Sequence, residues 1–533
     1  MDAAPTPPQT LSDLLQSAVT RYPDSPALDF MGRRWRYAEI DRLAARCAAG
    51  LLAMGIKPGD RIGLCLPNTP YFVIAYFAVL RIGGIVASIN PLYTEREMAH
   101  LVADAGVKLI FVPDLPDIVE KAAALETLQN IVICPIDRVL PPVKALAYRI
   151  LRRKLRVSRP WPQSRMVAFD ELTAHEANCP PHRNRPEDVA VLQYTGGTTG
   201  LPKGPMLTHG SLIANCLQAA RHDAEAPDRR ETVMGVLPMF HVFALTAVLN
   251  HSVLTGACIV LMPRFEMKPF LAAMRRTRPE RIYVVPTIAI ALNDLPQAQL
   301  PPMGQVRICV SGGAPLPPEV RARFERRTGC RIVEGYGLSE ASPTVTCNPF
   351  TGLVKDGSAG IAYPDTVIEI RSLEDDRLME AGSSGEVCVR GPQVMKGYWN
   401  RPDETAEVLS DGLLRTGDVG YLDSDGYLFL VDRIKDLILC GGYNVYPRVI
   451  EDALYEHPDV AEATVIGVPD QYRGEAPKAF VKLREGAEAT AESLRGFLKD
   501  KLSKIEMPRE IELRDELPKT LIGKLSKKEL RAG

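Results

Sequence analysis

Residues 195–204, Thr195-Gly196-Gly197-Thr198-Thr199-Gly200-Leu201-Pro202-Lys203-Gly204, hold four glycines, three threonines and one lysine. Glycine lets a backbone pass close to a ligand and turn its N–H groups toward an anion. Threonine hydroxyls add donors, and Lys203 adds a positive charge. The chemistry offered is a phosphate cradle, although an isolated Gly/Thr turn is more often a plain surface loop. The spacing excludes a Walker A loop. The apolar run Val189–Leu192 just before it reads as a short buried strand.

Further along, Ile308-Cys309-Val310-Ser311-Gly312-Gly313-Ala314-Pro315 reads as a strand ending in a glycine turn, with a helix after it. Ligands of α/β sheets sit at such carboxyl ends of strands. Val333-Glu334-Gly335-Tyr336-Gly337-Leu338-Ser339-Glu340 offers an aromatic face, a hydroxyl and a carboxylate. Asp418, after Arg415-Thr416-Gly417, can accept two hydroxyls at a strand end, or can be an ordinary turn aspartate. His241, in Leu237-Pro238-Met239-Phe240-His241-Val242-Phe243-Ala244-Leu245, would by itself be a core histidine. Lys524, near the C-terminus, would by itself be solvated.

Together these stretches resemble the adenylate-forming enzymes: acyl-CoA synthetases, luciferases and peptide-synthetase adenylation domains. Their phosphate signature usually reads Tyr-Thr-Ser-Gly-Thr-Thr-Gly-x-Pro-Lys-Gly; here Gly196 takes the serine's place, and Pro205, lacking an N–H, follows where a small residue is normal. With Gly391-Pro392-Gln393-Val394-Met395-Lys396-Gly397-Tyr398-Trp399 and the 515–519 run, Gly196 brings the chain nearest to bacterial long-chain fatty-acid–CoA ligases. The resemblance implies that Thr195, Gly196, Gly197, Thr198, Thr199, Gly200 and Lys203 hold ATP phosphates. It places adenine against Gly312, Gly313, Ala314 and Pro315 and against Glu334, Gly335, Tyr336 and Gly337. Ser339 would touch the α-phosphate, Glu340 magnesium, Asp418 the ribose, and Arg433 ribose and phosphates. Phe240, His241 and Phe243 would flank the acyl pocket, with Leu245 as a further candidate; core packing alone predicts the same residues. Lys524 takes the catalytic lysine's place. Val431-Asp432-Arg433 matches the hinge at Asp432, and Gly441-Gly442-Tyr443 the loop used in the second half-reaction, with coenzyme A. The implied activity makes acyl-AMP and pyrophosphate from a fatty acid and ATP, then acyl-CoA and AMP. Medium-chain or aryl acids, an acyl-AMP ligase loading a carrier protein, and an inactive binding homologue stay open.

The elements that must position these residues follow from pattern. Helical segments around residues 11–14 and 43–45 precede strands at 61–66, 85–89 and 108–112. The apolar stretch 71–89, broken by Arg81 and Gly83-Gly84, reads as a buried helix running into a buried strand rather than a membrane span. Residues 237–245, apolar nearly all round, read as a buried helix after a strand. Strands alternating with helices predict an α/β fold: a large N-terminal domain of several subdomains, with mostly parallel sheets covered by helices. At 533 residues more than one core is expected. The predicted division is 1–431, binding ATP and acyl group, and 432–533, a small mobile α+β domain.

A net charge of −1 argues against nucleic-acid binding, and eleven cysteines without paired spacing read as buried thiols of a reducing compartment. No secretory leader is visible after Met1, so the expected location is cytoplasmic. A homodimer is left open. Between Asp137 and Asp170 lie nine basic residues and no acidic one. Arg149, Arg152, Arg153 and Arg156 share one side of a helical projection, with Leu146, Ile150, Leu151, Leu155 and Val157 on much of the other. That pattern suits a solvated helix packed on the domain, or peripheral membrane contact through 143–157 at the inner face of the cell membrane, with Lys144 or Lys154 reaching outward.

Overall fold

The computed structural model describes residues 7–151, 165–194, 202–223, 230–440, 443–520 and 525–531. The expected α/β architecture is present. Among the described residues, seven strands form one sheet in the order Met166–Ala168, Asn130–Cys134, Val107–Pro113, Arg61–Leu64, Ile85–Ser88, Val189–Leu192, Met206–Thr208. All its pairings are parallel except the last. The stretch 71–89 forms the predicted pair: helix Pro70–Arg81, buried at every position but Arg81, and strand Ile85–Ser88. Pro70 opens that helix, where its missing N–H costs nothing.

A second, fourteen-stranded sheet changes character along its width. Strands Pro26–Phe30, Cys258–Leu261, Thr232–Gly235, Arg281–Val284, Ile308–Gly312 and Ile332–Gly337 run parallel, and helices link several of them. Beyond Gly337 the strands follow one another with little helix between them, so they pair antiparallel, as short connections require. The strand Tyr427–Arg433 closes this series of the chain.

A third sheet of five strands starts at Ile438–Cys440 and includes Tyr443–Val445, Val460–Asp470, Gly474–Leu483 and Glu510–Leu513. It buries an apolar cluster of its own around Ile450, Leu454, Val481 and Leu494. All eleven cysteines are free thiols, ten buried and Cys258 half-buried. Among the described residues no helix is long and apolar enough to cross a membrane.

Helix Pro142–Leu151 carries the first part of the basic segment. Its orientation departs from the amphipathic expectation. Arg149 turns inward to the buried carboxylate of Asp137 (2.6 Å), and Lys144 Nζ donates to the Met31 carbonyl (2.8 Å) rather than reaching outward. Ala145 and Tyr148 pack on the domain, while Val143, Leu146 and Ile150 are 81%, 59% and 66% exposed. Buried Asp137 pulls the arginine in, and the apolar stripe is thereby turned to solvent. Arg152, Arg153, Lys154, Leu155, Arg156 and Val157 lie outside the described residues.

Candidate active site

One cavity of about 1240 Å³ runs between the large sheet and the C-terminal elements. On one side it meets the carboxyl end of Ile308–Gly312, where Gly312, Gly313, Ala314 and Pro315 line it. Glu334, Gly335, Tyr336 and Gly337 line it from the neighbouring strand. Gly337 has to be glycine, since a Cβ there would lie 2.2 Å from the Pro343 carbonyl oxygen. Gly313 has φ +82°, a conformation that favours glycine.

Tyr336 donates its hydroxyl to Asp418 (2.6 Å), and Arg433 Nε stands 3.0 Å from the other oxygen of that carboxylate. Strand pairing enforces this triad, because Asp418 and Arg433 are register partners. Burial first, then the adjacent Asp418, pushes the Tyr336 phenol up, so it stays a donor. Each carboxylate oxygen has two lone pairs, which leaves Asp418 capacity for further hydroxyls. Glu334 accepts the Leu316 N–H (3.0 Å), and burial raises its carboxyl to about 7.

Ser339 and Glu340 sit on a 3₁₀ turn at the cavity wall. Glu340 accepts the hydroxyl of Tyr398 (2.9 Å), and Lys203 pairs with Glu404 while lying 5.1 Å from the Tyr398 ring centre. Tyr398 therefore sits between the candidate metal carboxylate and the candidate phosphate cation. It belongs to the 391–399 stretch, yet no local pattern singled it out; the same holds for Glu404. Thr195, Gly196, Gly197, Thr198, Thr199 and Gly200 lie outside the described residues. At Pro205, which lacks an N–H, the carbonyl still accepts from Gln193 (3.1 Å) and the residue bridges Tyr398; strand Met206–Thr208 follows, with the Met206 N–H on the Gly397 carbonyl (2.8 Å).

On the other side Phe240, His241 and Phe243 line the cavity. Leu245 does not; it is fully buried in the core. The expected helix over 237–245 is corrected here. Residues 237–241 form a turn closed by His241 N–H on the Pro238 carbonyl (3.1 Å), and helix begins at Val242. Asn68 causes this: its amide donates to the carbonyls of Gly235 (3.1 Å) and Leu237 (2.7 Å) and accepts from Met239 N–H (2.8 Å). Those backbone groups are satisfied without a helix. Residues Ala244–Asn250 then form a wide π-turn, of the kind that recurs at functional sites.

Asp432, Arg433, Arg448 and Lys527 also line the cavity, so the C-terminal elements close it. Asp432 lies within the strand Tyr427–Arg433, and its carboxylate accepts the N–H groups of Arg433 (2.8 Å) and Arg448 (3.0 Å). Tyr443 is 64% exposed and lies away from the cavity lining. Gly441, Gly442 and Lys524 lie outside the described residues.

An aromatic ring, a carboxylate–arginine pair and a phosphate-side lysine and glutamate thus face one chamber with an apolar wall. Residues 15–399 match the AMP-binding enzyme family and residues 449–524 its C-terminal domain. The chain belongs to the AMP-binding enzyme family. As a family member it is an ATP-dependent, AMP-forming ligase. It is 42% identical to the long-chain-fatty-acid–CoA ligase of Bacillus subtilis (strain 168), over 99% of this chain and 95% of that protein. It is 35% identical to a feruloyl-CoA synthase of an Amycolatopsis species, over 96% of each. The ATP-bound crystal structure of MatB from Rhodopseudomonas palustris superposes with a TM-score of 0.86 at 28% identity, covering 98% of both chains.

Proposed function

We propose that this AMP-binding enzyme is a long-chain fatty-acid–CoA ligase that activates its acid as an acyl adenylate and passes the acyl group to coenzyme A. The observation that carries the reading is the single chamber joining the Tyr336–Asp418–Arg433 triad to the apolar wall of Phe240 and Phe243. The full-length likeness to the Bacillus ligase supports the choice of acid.

A carboxylate is a poor electrophile because its leaving group would be an oxide. Attack of the carboxylate oxygen on the α-phosphorus of ATP expels pyrophosphate and leaves a mixed anhydride with AMP as leaving group. Charge develops on phosphoryl oxygens, so positioned cations and donors do the catalysis. Thr195, Thr198, Thr199 and Lys203 hold the outer phosphates, and Ser339 and Lys524 the α-phosphate. Asp418 and Arg433 fix the ribose, and Gly312 to Pro315, with Glu334 to Gly337, hold adenine. His241, which lines the cavity with Phe240 and Phe243, flanks the carboxylate and the acyl group. For Lys203 to act it must leave Glu404, which phosphate charge favours.

A lone carboxylate such as Glu340 suits magnesium, which takes one or two carboxylates and completes its shell with phosphates and water. When bound, magnesium neutralises charge on the phosphates. In the second half-reaction the thiol of coenzyme A attacks the acyl carbon and AMP leaves. The 432–533 domain turns about Asp432, bringing in Gly441, Gly442 and Tyr443; the exposure of Tyr443 outside the chamber is consistent with a second position.

The exposed stripe Val143, Leu146 and Ile150, in a basic stretch of which Arg138, Lys144, Arg149 and Arg165 are held by the domain, supports peripheral contact of residues 143–157 with an anionic membrane.

The test is a panel of short-, medium- and long-chain and aryl acids in CoA-dependent AMP formation. Long-chain acids are expected to give the highest kcat/KM. A preference for aryl acids, or pyrophosphate exchange without thioester formation, would replace this reading with an aryl-CoA ligase or an acyl-AMP ligase. No acid-dependent exchange would indicate an inactive homologue.

A further inference from the structure

Beyond Phe243 the cavity lining includes polar side chains that the adenylation and thioester steps do not use. From the adenine turn inward, Gly312 abuts the Phe243 ring, where an added Cβ would come within 3.0 Å. Phe243 meets Tyr283 edge-on at 5.8 Å, and the Tyr283 hydroxyl accepts from Arg281 at 3.5 Å. Thr246 and His251 line the same cavity, from the π-turn and the start of the next helix, and are each 2% exposed. Among the described residues, neither the Thr246 hydroxyl nor either ring nitrogen of His251 has a hydrogen-bond partner. Buried polar groups are rarely left so, because losing water without replacement is costly.

Arg281 does not offer its charge to a ligand. Its guanidinium is held by Glu231 (2.8 and 3.0 Å) and Asp223 (2.6 Å), and Arg307 grips the same two carboxylates. Two cations and two anions close this network behind the wall. Burial, reinforced by Arg281, pushes the His251 imidazole down to about 3, so the ring is neutral, one nitrogen donating and the other accepting. The unpartnered groups therefore match a neutral group that both donates and accepts. A methyl end would leave them unsatisfied, and a carboxylate would meet an Arg281 already held by Glu231 and Asp223.

We infer that Thr246 and His251 read a neutral oxygen at the distal end of the acyl group, so the chamber selects hydroxylated acids over plain acids of equal length. The inference rests on the proposal that this chamber holds the acyl group.

The test is kcat/KM for CoA-dependent AMP formation with ω-hydroxy acids and their unsubstituted counterparts, matched over a range of chain lengths. At the length where the oxygen reaches the wall, the hydroxy acid is expected to be preferred by about tenfold or more. Thr246→Val, which is nearly isosteric, and His251→Phe should each lower that ratio while unsubstituted acids are still turned over. The ratio separates recognition from structure, since a folding defect lowers both substrates together. A ratio at or below one at every length, or a preference untouched by both variants, overturns the inference and leaves the long-chain reading standing. Turnover of hydroxy acids with none of unsubstituted acids would overturn the long-chain reading and support the wall's role.

Discussion

At the scale of single residues, the site is a set of polar groups whose partners come from far along the chain. Glu334 couples the site to the pH dependence of stability. Burial raises its carboxyl to about 7, against the opposing pull of Arg448 and the Leu316 N–H. An acid whose folded value is raised contributes stability that is fully present below its unfolded value, near 4.5, and is lost as pH rises through about 7. Across that window the loss is of order 3 kcal/mol. Glu334→Gln keeps an acceptor for Leu316 and carries no proton to lose. Denaturant unfolding at pH 5 and pH 8 should show wild type losing more stability over the interval than the variant does; equal slopes would sink the assignment. The types and order of Tyr336, Glu340 and Asp418 were legible in the sequence. Their partnerships were not: Tyr398 reaches Glu340 across 58 positions, and no local spacing carries that information.

At the scale of elements, periodicity read the buried helix–strand pair over 71–89 well, because burial on all sides leaves an unbroken apolar run. It misread the first half of 237–245, residues 237–241, which is also largely apolar. There Asn68, 169 positions from Leu237, supplies the hydrogen bonds that a helix would otherwise make. Helix Pro142–Leu151 makes a similar point about orientation: a helical projection gives two faces, but the buried Asp137 decides which turns inward. The outward stripe yields a prediction. Each cation near an anionic leaflet contributes roughly 1 kcal/mol, and a buried aliphatic side chain about 1.5–3 kcal/mol. Changing Val143, Leu146 and Ile150 to serine should cut co-sedimentation with anionic liposomes by at least about tenfold at low salt. Wild-type binding should weaken as salt shortens the screening length to about 8 Å at physiological strength. Equal binding by both proteins, or none by wild type, would return this stripe to ordinary surface.

For the molecule as a whole, the question is how one chamber serves two successive reactions. The large sheet contributes Tyr336 and Asp418, the 3₁₀ turn after it Glu340, and the C-terminal elements Arg448 and Lys527 to the same lining. Asp432 joins the two parts. It ends the series of large-sheet strands, paired with Val419, while its carboxylate caps the N-terminus of helix Pro447–Tyr455 through the Arg448 N–H. Arg448 returns the contact by donating to the Leu430 carbonyl at 2.8 Å. If the C-terminal part swings between half-reactions, the backbone at Asp432 changes angle and this cap is exchanged. Proline fixes φ near roughly −65° and removes the N–H, whereas alanine removes only the carboxylate. Asp432→Pro should therefore lower one half-reaction by roughly 10²-fold, the scale of a misplaced reacting group, and leave the other within a few-fold of wild type. Asp432→Ala should affect both modestly. The two half-reactions separate cleanly as ATP–pyrophosphate exchange and as thioester formation from preformed acyl-AMP with coenzyme A. Parallel loss of both in the proline variant, with an unchanged circular dichroism spectrum, would place the hinge elsewhere.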